Sequence, residues 1–198
     1  MSTIGFDTSN YTTSTAWTDG KTDINVRQIL YVKDGERGIR QSDGVFQHMK
    51  LMPVMYEKLS EQIDFKDVKA VGVSTRPRCV EGSYMPVFLA GEGYAKVVAN
   101  TLGVPLYEFS HQDGHIMAGI YSSGSFELLE NDFISVHLSG GTTEILKSRY
   151  NGFYFDNEII GGSKDISAGQ FIDRVGVKMG LHLSLIHISE PTRRSYIS

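Results

Sequence analysis

The chain of 198 residues has one cysteine, no surplus of positive charge and no apolar run long enough to cross a membrane. The lone Cys79 excludes an internal disulfide, and beside Arg76 and Arg78 it reads as a quiet reduced thiol. With 19 Lys and Arg against 23 Asp and Glu, the formal net charge is −4, so there is no global electrostatic footprint for nucleic acid. An RNA partner would need a local basic patch or a second subunit. Met1 leads directly into a strand-like segment rather than a signal peptide, which gives the expectation of a cytoplasmic protein with no membrane attachment. The composition present, 40% hydrophobic and 21% charged, supports one large or two small domains with a real core.

Two stretches carry chemistry. His111 and His115 stand four apart at the expected start of a helix, which puts both imidazoles on one face, a turn apart, at a spacing suited to a divalent metal. Ser139-Gly140-Gly141-Thr142 lies between two apolar runs, and its glycines allow backbone amides and hydroxyls to converge on an anion. Each has a plain alternative, a packed histidine pair and a tight turn.

The rest of the chain reads as α/β. Thr3 to Thr8, Tyr11 to Trp17 and Ile24 to Val32 form an antiparallel meander turned at Asp19-Gly20. Val45, Met49, Met52, Tyr56, Leu59 and Ile63 make the apolar stripe of a helix that Pro53 kinks or starts. Val68 to Ser74 is a buried strand ending at Thr75-Arg76-Pro77-Arg78, a loop at the strand end where α/β sheets bind ligands. A helix from Gly91 to Leu102 points Tyr94, Val97, Val98 and Leu102 inward and stops at Gly103, before a strand at Pro105 to Tyr107. A second meander follows, with strands Phe133 to Leu138, Glu144 to Tyr150 and Phe153 to Ile160 and a hairpin at Asn151-Gly152. A last helix places Ala168, Ile172, Val175 and Met179 on one face and ends at Gly180.

The two meanders repeat. Ser9, Thr12 and Thr13 match Ser139, Thr142 and Thr143, each 130 positions later, which predicts two similar lobes with turns facing a nucleotide. The expected division is a first lobe over 1–128, the start of a second over 129–182, and a tail over 183–198 that lacks periodicity and resembles translated sequencing adapter. A piece lacking much of its second lobe is expected to expose a large apolar face, to dissolve poorly and to be inactive by itself.

Taken together, Gly5-Phe6-Asp7-Thr8-Ser9, Ala95-Lys96, His111 and His115, Ser139 to Thr142, and Asp165-Ile166-Ser167-Ala168-Gly169-Gln170-Phe171-Ile172-Asp173 resemble a known family. It is that of the tRNA threonylcarbamoyladenosine-forming proteins, also called O-sialoglycoprotein endopeptidases or glycoproteases. The resemblance implies the actin, sugar-kinase and Hsp70 ATPase (ASKHA, ribonuclease H-like) fold. It also implies one divalent metal, iron or zinc, on His111 and His115, with His137 standing where some members place a tyrosine ligand. Asp7, Ser9, Ser139, Gly140, Gly141, Thr142, Asp165, Gly169 and Asp173 would then face an adenylate or ATP-type nucleotide. The implied partners are tRNA, a paralogous subunit and a small ATPase subunit. The implied activity is transfer of a threonylcarbamoyl group from its adenylate to N6 of the adenosine 3′ of the tRNA anticodon.

The sequence also departs from the family pattern. Asp7 replaces a glutamate, Asn10-Tyr11-Thr12 an acid-rich segment, Arg76-Pro77-Arg78 a Gly-Pro-Gly loop, and Gln170 a glutamate, while the family's later aspartate ligand has no counterpart. Proteolysis of the HExxH kind is disfavoured, because the glutamate position is Gln112 and Asp113 sits on another face. Two alternatives stay open: a small-molecule kinase or ATPase of this fold, with Asp7 and Asp165 organising Mg-nucleotide, and a non-catalytic paralogue that stabilises a partner subunit.

Overall fold

A computed structural model describes residues 2–9, 11–32, 39–138 and 142–179, the Asp173 side chain excepted. The chain divides into two compact units, Met1–Gly119 and Ile120–Ser198.

In the first unit, β1 (Ser2–Asp7), β2 (Thr12–Thr18) and β3 (Asp23–Ile29) form the expected meander. At the β2–β3 turn Gly20 takes a φ of 87°, which the absence of a Cβ permits, and Asp19 Oδ1 accepts the N–H groups of Lys21 and Thr22. The chain then crosses through α1 (Gln41–Ser60) to β4 (Val68–Arg76), and through α2 (Phe88–Leu102) to β5 (Leu106–Ser110). β4 pairs parallel with β1, and β5 parallel with β4. The resulting order, β3-β2-β1-β4-β5, with an antiparallel meander joined to a parallel extension, is the ribonuclease H-like arrangement that the motifs imply.

Alternation along β1 sends Ile4 and Phe6 into a core completed by Val71 and Val73 of β4, Met52 and Leu59 of α1, and Ala95 and Ala99 of α2. Of the stripes read from sequence, Met52, Tyr56, Leu59 and Ile63, and Tyr94, Val98 and Leu102, pack in or against the core, while Met49 and Val97 do not. On α1 the buried face is Gly44, His48, Met52, Met55 and Leu59, while Met49 is exposed. His48 can take a core position because Thr13 Oγ1 lies 2.7 Å from its Nδ1, which lowers the cost of burying a polar ring. On α2 the small Ala90, Gly91, Ala95 and Ala99 face inward and Val97 faces out, so the helix packs closely on the sheet. Gly103 ends α2 in the left-handed region, as expected.

Pro53 lies within α1 rather than at its start. Proline lacks the N–H that would bond the carbonyl four residues earlier, that of Met49. Tyr94 of α2 supplies the replacement, its hydroxyl donating to Met49 O at 3.0 Å.

α3 (His111–Ser123) leads to the second meander, β6 (Phe133–Leu138), β7 (Thr143–Tyr150) and β8 (Phe155–Gly162), followed by α4 (Ala168–Lys178). Gly152, at φ 95°, and Asn151 Oδ1, which accepts from Phe153 and Tyr154 N–H, build the expected hairpin and delay β8 to Phe155. The repeat extends to register. Asp7 pairs with Ser14, and 130 positions later His137 pairs with Glu144. One sheet face buries Leu146 and Phe155, whereas Ile134, Val136, Leu138 and Ile145 are exposed, with Val136 and Ile145 paired across β6 and β7. The stripe expected to bury α4 is likewise exposed at Ile172, Val175 and Met179.

Candidate functional site

Because β1, β4 and β5 are mutually parallel, their carboxyl ends meet at one edge of the sheet, bringing together Asp7, Arg76 and Ser110. α3 starts there. Ser110 and Asp113 close a reciprocal cap: Ser110 N–H and Oγ both donate to Asp113 Oδ2, at 2.9 and 2.5 Å, and Asp113 N–H donates to Ser110 Oγ at 3.1 Å. Gln112 N–H donates to Pro77 O at 3.0 Å, tying the helix start to the loop after β4. Asp113 is thus buried in a structural role, in keeping with its exclusion as a protease base.

This cap fixes the direction of the histidines. His111 Nε2 and His115 Nε2 are 2.8 Å apart, with ring centroids at 4.2 Å. On its other side, His111 Nδ1 lies 2.8 Å from Asp7 Oδ2, while Asp7 Oδ1 accepts the Ser9 N–H at 2.7 Å. Burial raises the Asp7 carboxyl, but the hydrogen bond and charge of His111, with help from Ser9 and Ser74, outweigh it and hold the group well below the usual carboxylate range. In its neutral form His111 would carry its proton on Nδ1, toward an ionised Asp7, with Nε2 on the side of His115.

The donor set fits part of a metal site. Two imidazole nitrogens bound to one first-row metal at about 2.0–2.1 Å stand about 2.9 Å apart at a right angle and about 3.3 Å at a tetrahedral one, and a carboxylate behind the first ring is the usual orienting partner. Among the described residues, no group of three His, Cys, Asp or Glu could hold a metal, so the pair would supply two ligands at most.

Asp7, expected to face nucleotide, has its two oxygens bonded to His111 and Ser9. Ser9 is buried in the β1–β2 turn. Ser139, Gly140 and Gly141 lie outside the described residues. Thr142 is half-buried before β7, and His137, half-buried in β6, stands opposite Glu144. Asp165 is exposed in the bend before α4, Gly169 is buried in its first turn, and Asp173 belongs to the same helix. The adjacent Ser167 caps α4 by accepting Gln170 N–H, and Thr143 Oγ1 accepts Ala168 N–H at 2.7 Å.

Sequence reasoning missed Thr8. Its buried Oγ1 donates to Val87 O at 2.8 Å and accepts Gly91 N–H at 3.0 Å, fastening the β1–β2 turn to the start of α2. A Cβ on Gly91 would come within 2.9 Å of that oxygen, which explains the glycine. The Ser110–Asp113 spacing was a readable capping signal, whereas the pairing of Asp7 with a histidine 104 positions away had no local signal.

The family model for TsaD, tRNA N6-adenosine threonylcarbamoyltransferase, matches residues 36–193. The chain belongs to this family. Proteins named tRNA N6-adenosine threonylcarbamoyltransferase are similar to it at 32% identity in Christiangramia forsetii, over 66% of this chain and 36% of the relative, and at 34% in Moorella thermoacetica, over 68% and 36%. Another, from Pyrobaculum calidifontis, is 28% identical over 90% of this chain and 49% of the relative. The chain therefore spans about a third to a half of the length of these curated relatives. Solved structures similar to it include YeaZ from Pseudomonas aeruginosa, with a TM-score of 0.46 and 12% identity over 81% of this chain and 65% of that one. The ethanolamine utilization protein EutJ from Carboxydothermus hydrogenoformans has a TM-score of 0.43 and 16% identity over 96% and 66%.

Proposed function

We propose that this chain carries the metal-binding half of an enzyme that transfers a threonylcarbamoyl group from its adenylate to N6 of the adenosine 3′ of the tRNA anticodon. The observation that carries the reading is the Asp7–His111–His115 series at the carboxyl edge of the sheet, in a chain of this family.

His111 and His115 would hold one divalent ion, iron or zinc, and His137 would add to the set. In support of the last point, His137 occupies the register position in its meander that Asp7 occupies in the first. When bound, the metal supplies a template and Lewis acid for the carbonyl of the transferred group. The protein's own part is positional. Asp7 keeps the proton on His111 Nδ1, the Ser110–Asp113 cap fixes the helix that projects both rings, and Ser139, Gly140, Gly141 and Thr142 would cradle the adenylate phosphate. Asp165, Gly169 and Asp173 would frame the nucleoside. In the reaction the N6 amine attacks the carbonyl carbon, the bond from that carbon to the phosphate oxygen breaks, and adenylate and one proton leave.

The setting proposed is the cytoplasm, and among the described residues no helix is long and apolar enough to cross a membrane. A paralogous subunit and a small ATPase subunit would assist with tRNA. The exposed Phe46 and Met49 on α1 and Leu89 and Val97 on α2 support a protein partner, the two helices being joined by the Tyr94–Met49 hydrogen bond.

The test is zinc titration of the chain by equilibrium dialysis. His111→Ala is expected to weaken binding by at least about tenfold, within the range over which lost ligands and their supporting partners act. Unchanged affinity in that variant would refute the metal assignment and favour the kinase or paralogue reading.

A further inference from the structure

The loop after β4 contains a cation that the metal site does not use. Arg76 is half-buried at the end of β4 and is the register partner of Ser110, the residue immediately before His111. Its guanidinium meets two neutral atoms, Thr75 Oγ1 at 3.2 Å and Cys79 Sγ at 3.7 Å, and no carboxylate among the described residues pairs with it. Three exposed or half-exposed cations do have carboxylate partners, Lys96 with Glu92, and Lys147 and Arg149 with Asp132. A guanidinium partly withdrawn from water and bonded only to a hydroxyl and a thiol retains most of its hydrogen-bonding fork for an oxyanion.

The loop is also held in place. Pro77 O accepts Gln112 N–H from α3, and Ser83 Oγ accepts Arg78 N–H at 3.0 Å. The first bond ties the residue after Arg76 to the helix that carries His111 and His115, and the second closes the loop on itself. Arg76 thus stands at the carboxyl edge of β1, β4 and β5, the edge at which parallel sheets generally bind ligands.

We propose that Arg76 is an oxyanion-binding residue that grips a carboxylate or phosphate of the small-molecule acyl donor beside the histidine pair. The donor's identity rests on the function proposed above, while the oxyanion chemistry rests on Arg76 alone. A threonylcarbamoyl-adenylate carries both groups, the carboxylate on its amino-acid end and the phosphate on its nucleotide end, and a planar guanidinium can engage either in a bidentate manner.

The experiment is calorimetric titration of the chain, with and without zinc, using N-carbamoyl-L-threonine as the carboxylate probe and adenosine 5′-monophosphate as the phosphate probe. The expected result is that Arg76→Gln weakens one probe by about tenfold or more, as loss of a charged hydrogen-bond donor should. Arg76→Lys should recover part of that loss, and zinc affinity should not change. The probe affected identifies the end of the donor that Arg76 holds. Equal binding of both probes by Arg76→Gln and the unmutated chain, or binding of neither by the unmutated chain, would overturn the proposal. Should the variant fail to fold, modification of Arg76 by phenylglyoxal, read by mass spectrometry on the unmutated chain, replaces it: protection by a bound probe is expected, and equal modification with and without both probes overturns the proposal. Failure of zinc to bind would count against the metal reading alone, because the metal-free titrations still report on Arg76.

Discussion

The two meanders share a register but differ in what covers them. In the first unit, α1 and α2 close over the sheet, and Ile4, Phe6, Val71 and Leu59 are excluded from water. In the second, Ile134, Val136, Leu138 and Ile145 form an exposed face and α4 turns Ile172 and Val175 to solvent. The same strand-turn-strand unit is therefore a finished layer in one case and an uncovered one in the other. Hydrophobic patterning specifies which face must be buried, and burial follows only where a second layer is present.

The largest expected contrast is energetic. Leu59→Ala should cost about 2–5 kcal/mol, the range for truncating a fully buried leucine, whereas Ile172→Ala on exposed α4 should change stability by less than about 0.5 kcal/mol. Urea denaturation of both variants checks this, and a large loss at Ile172 would show that α4 is covered in solution.

A smaller effect tests how the first unit is held. Tyr94→Phe deletes the donor that serves the Met49 carbonyl freed by Pro53, and should cost about 0.5–1.5 kcal/mol. If Pro53→Ala is introduced first, the Tyr94→Phe penalty should shrink, because the helix then supplies its own bond. Equal penalties in both backgrounds would break that link.

The smallest change in folding energy should come with a visible change in association. Val136→Lys lies on the exposed face, so its effect on stability should stay within about 0.5 kcal/mol while the monomer fraction rises in light scattering coupled to size exclusion. A chain already monodisperse before substitution would contradict the expectation that an exposed apolar face makes it associate.

What was legible in the sequence was mostly local. The helix carrying His111 and His115, the Asp19-Gly20 and Asn151-Gly152 turns, the Gly103 stop and the strand at Phe133 to Leu138 all follow from short-range chemistry and stand as expected. On α1 and α2 most of the expected stripe packs on the core, and the misplaced members, Met49 and Val97, show that helix phase depends on the neighbour. Thr13 allows a histidine into the core at position 48, and close approach to the sheet selects Ala95 and Ala99 over the larger Val97. The link from Asp7 to His111 was illegible for another reason. It needs β1, β4 and β5 to lie parallel in one sheet, which no window of the sequence contains.

The central claim is that His111 and His115, oriented by Asp7, ligate one metal. X-ray absorption at the zinc edge of the zinc-loaded chain tests it most directly. The predicted spectrum shows an ion with imidazole ligands at about 2.0–2.1 Å whose imidazole scattering falls in His115→Ala. A spectrum dominated by sulfur at about 2.3 Å, or one unchanged by that substitution, would contradict it.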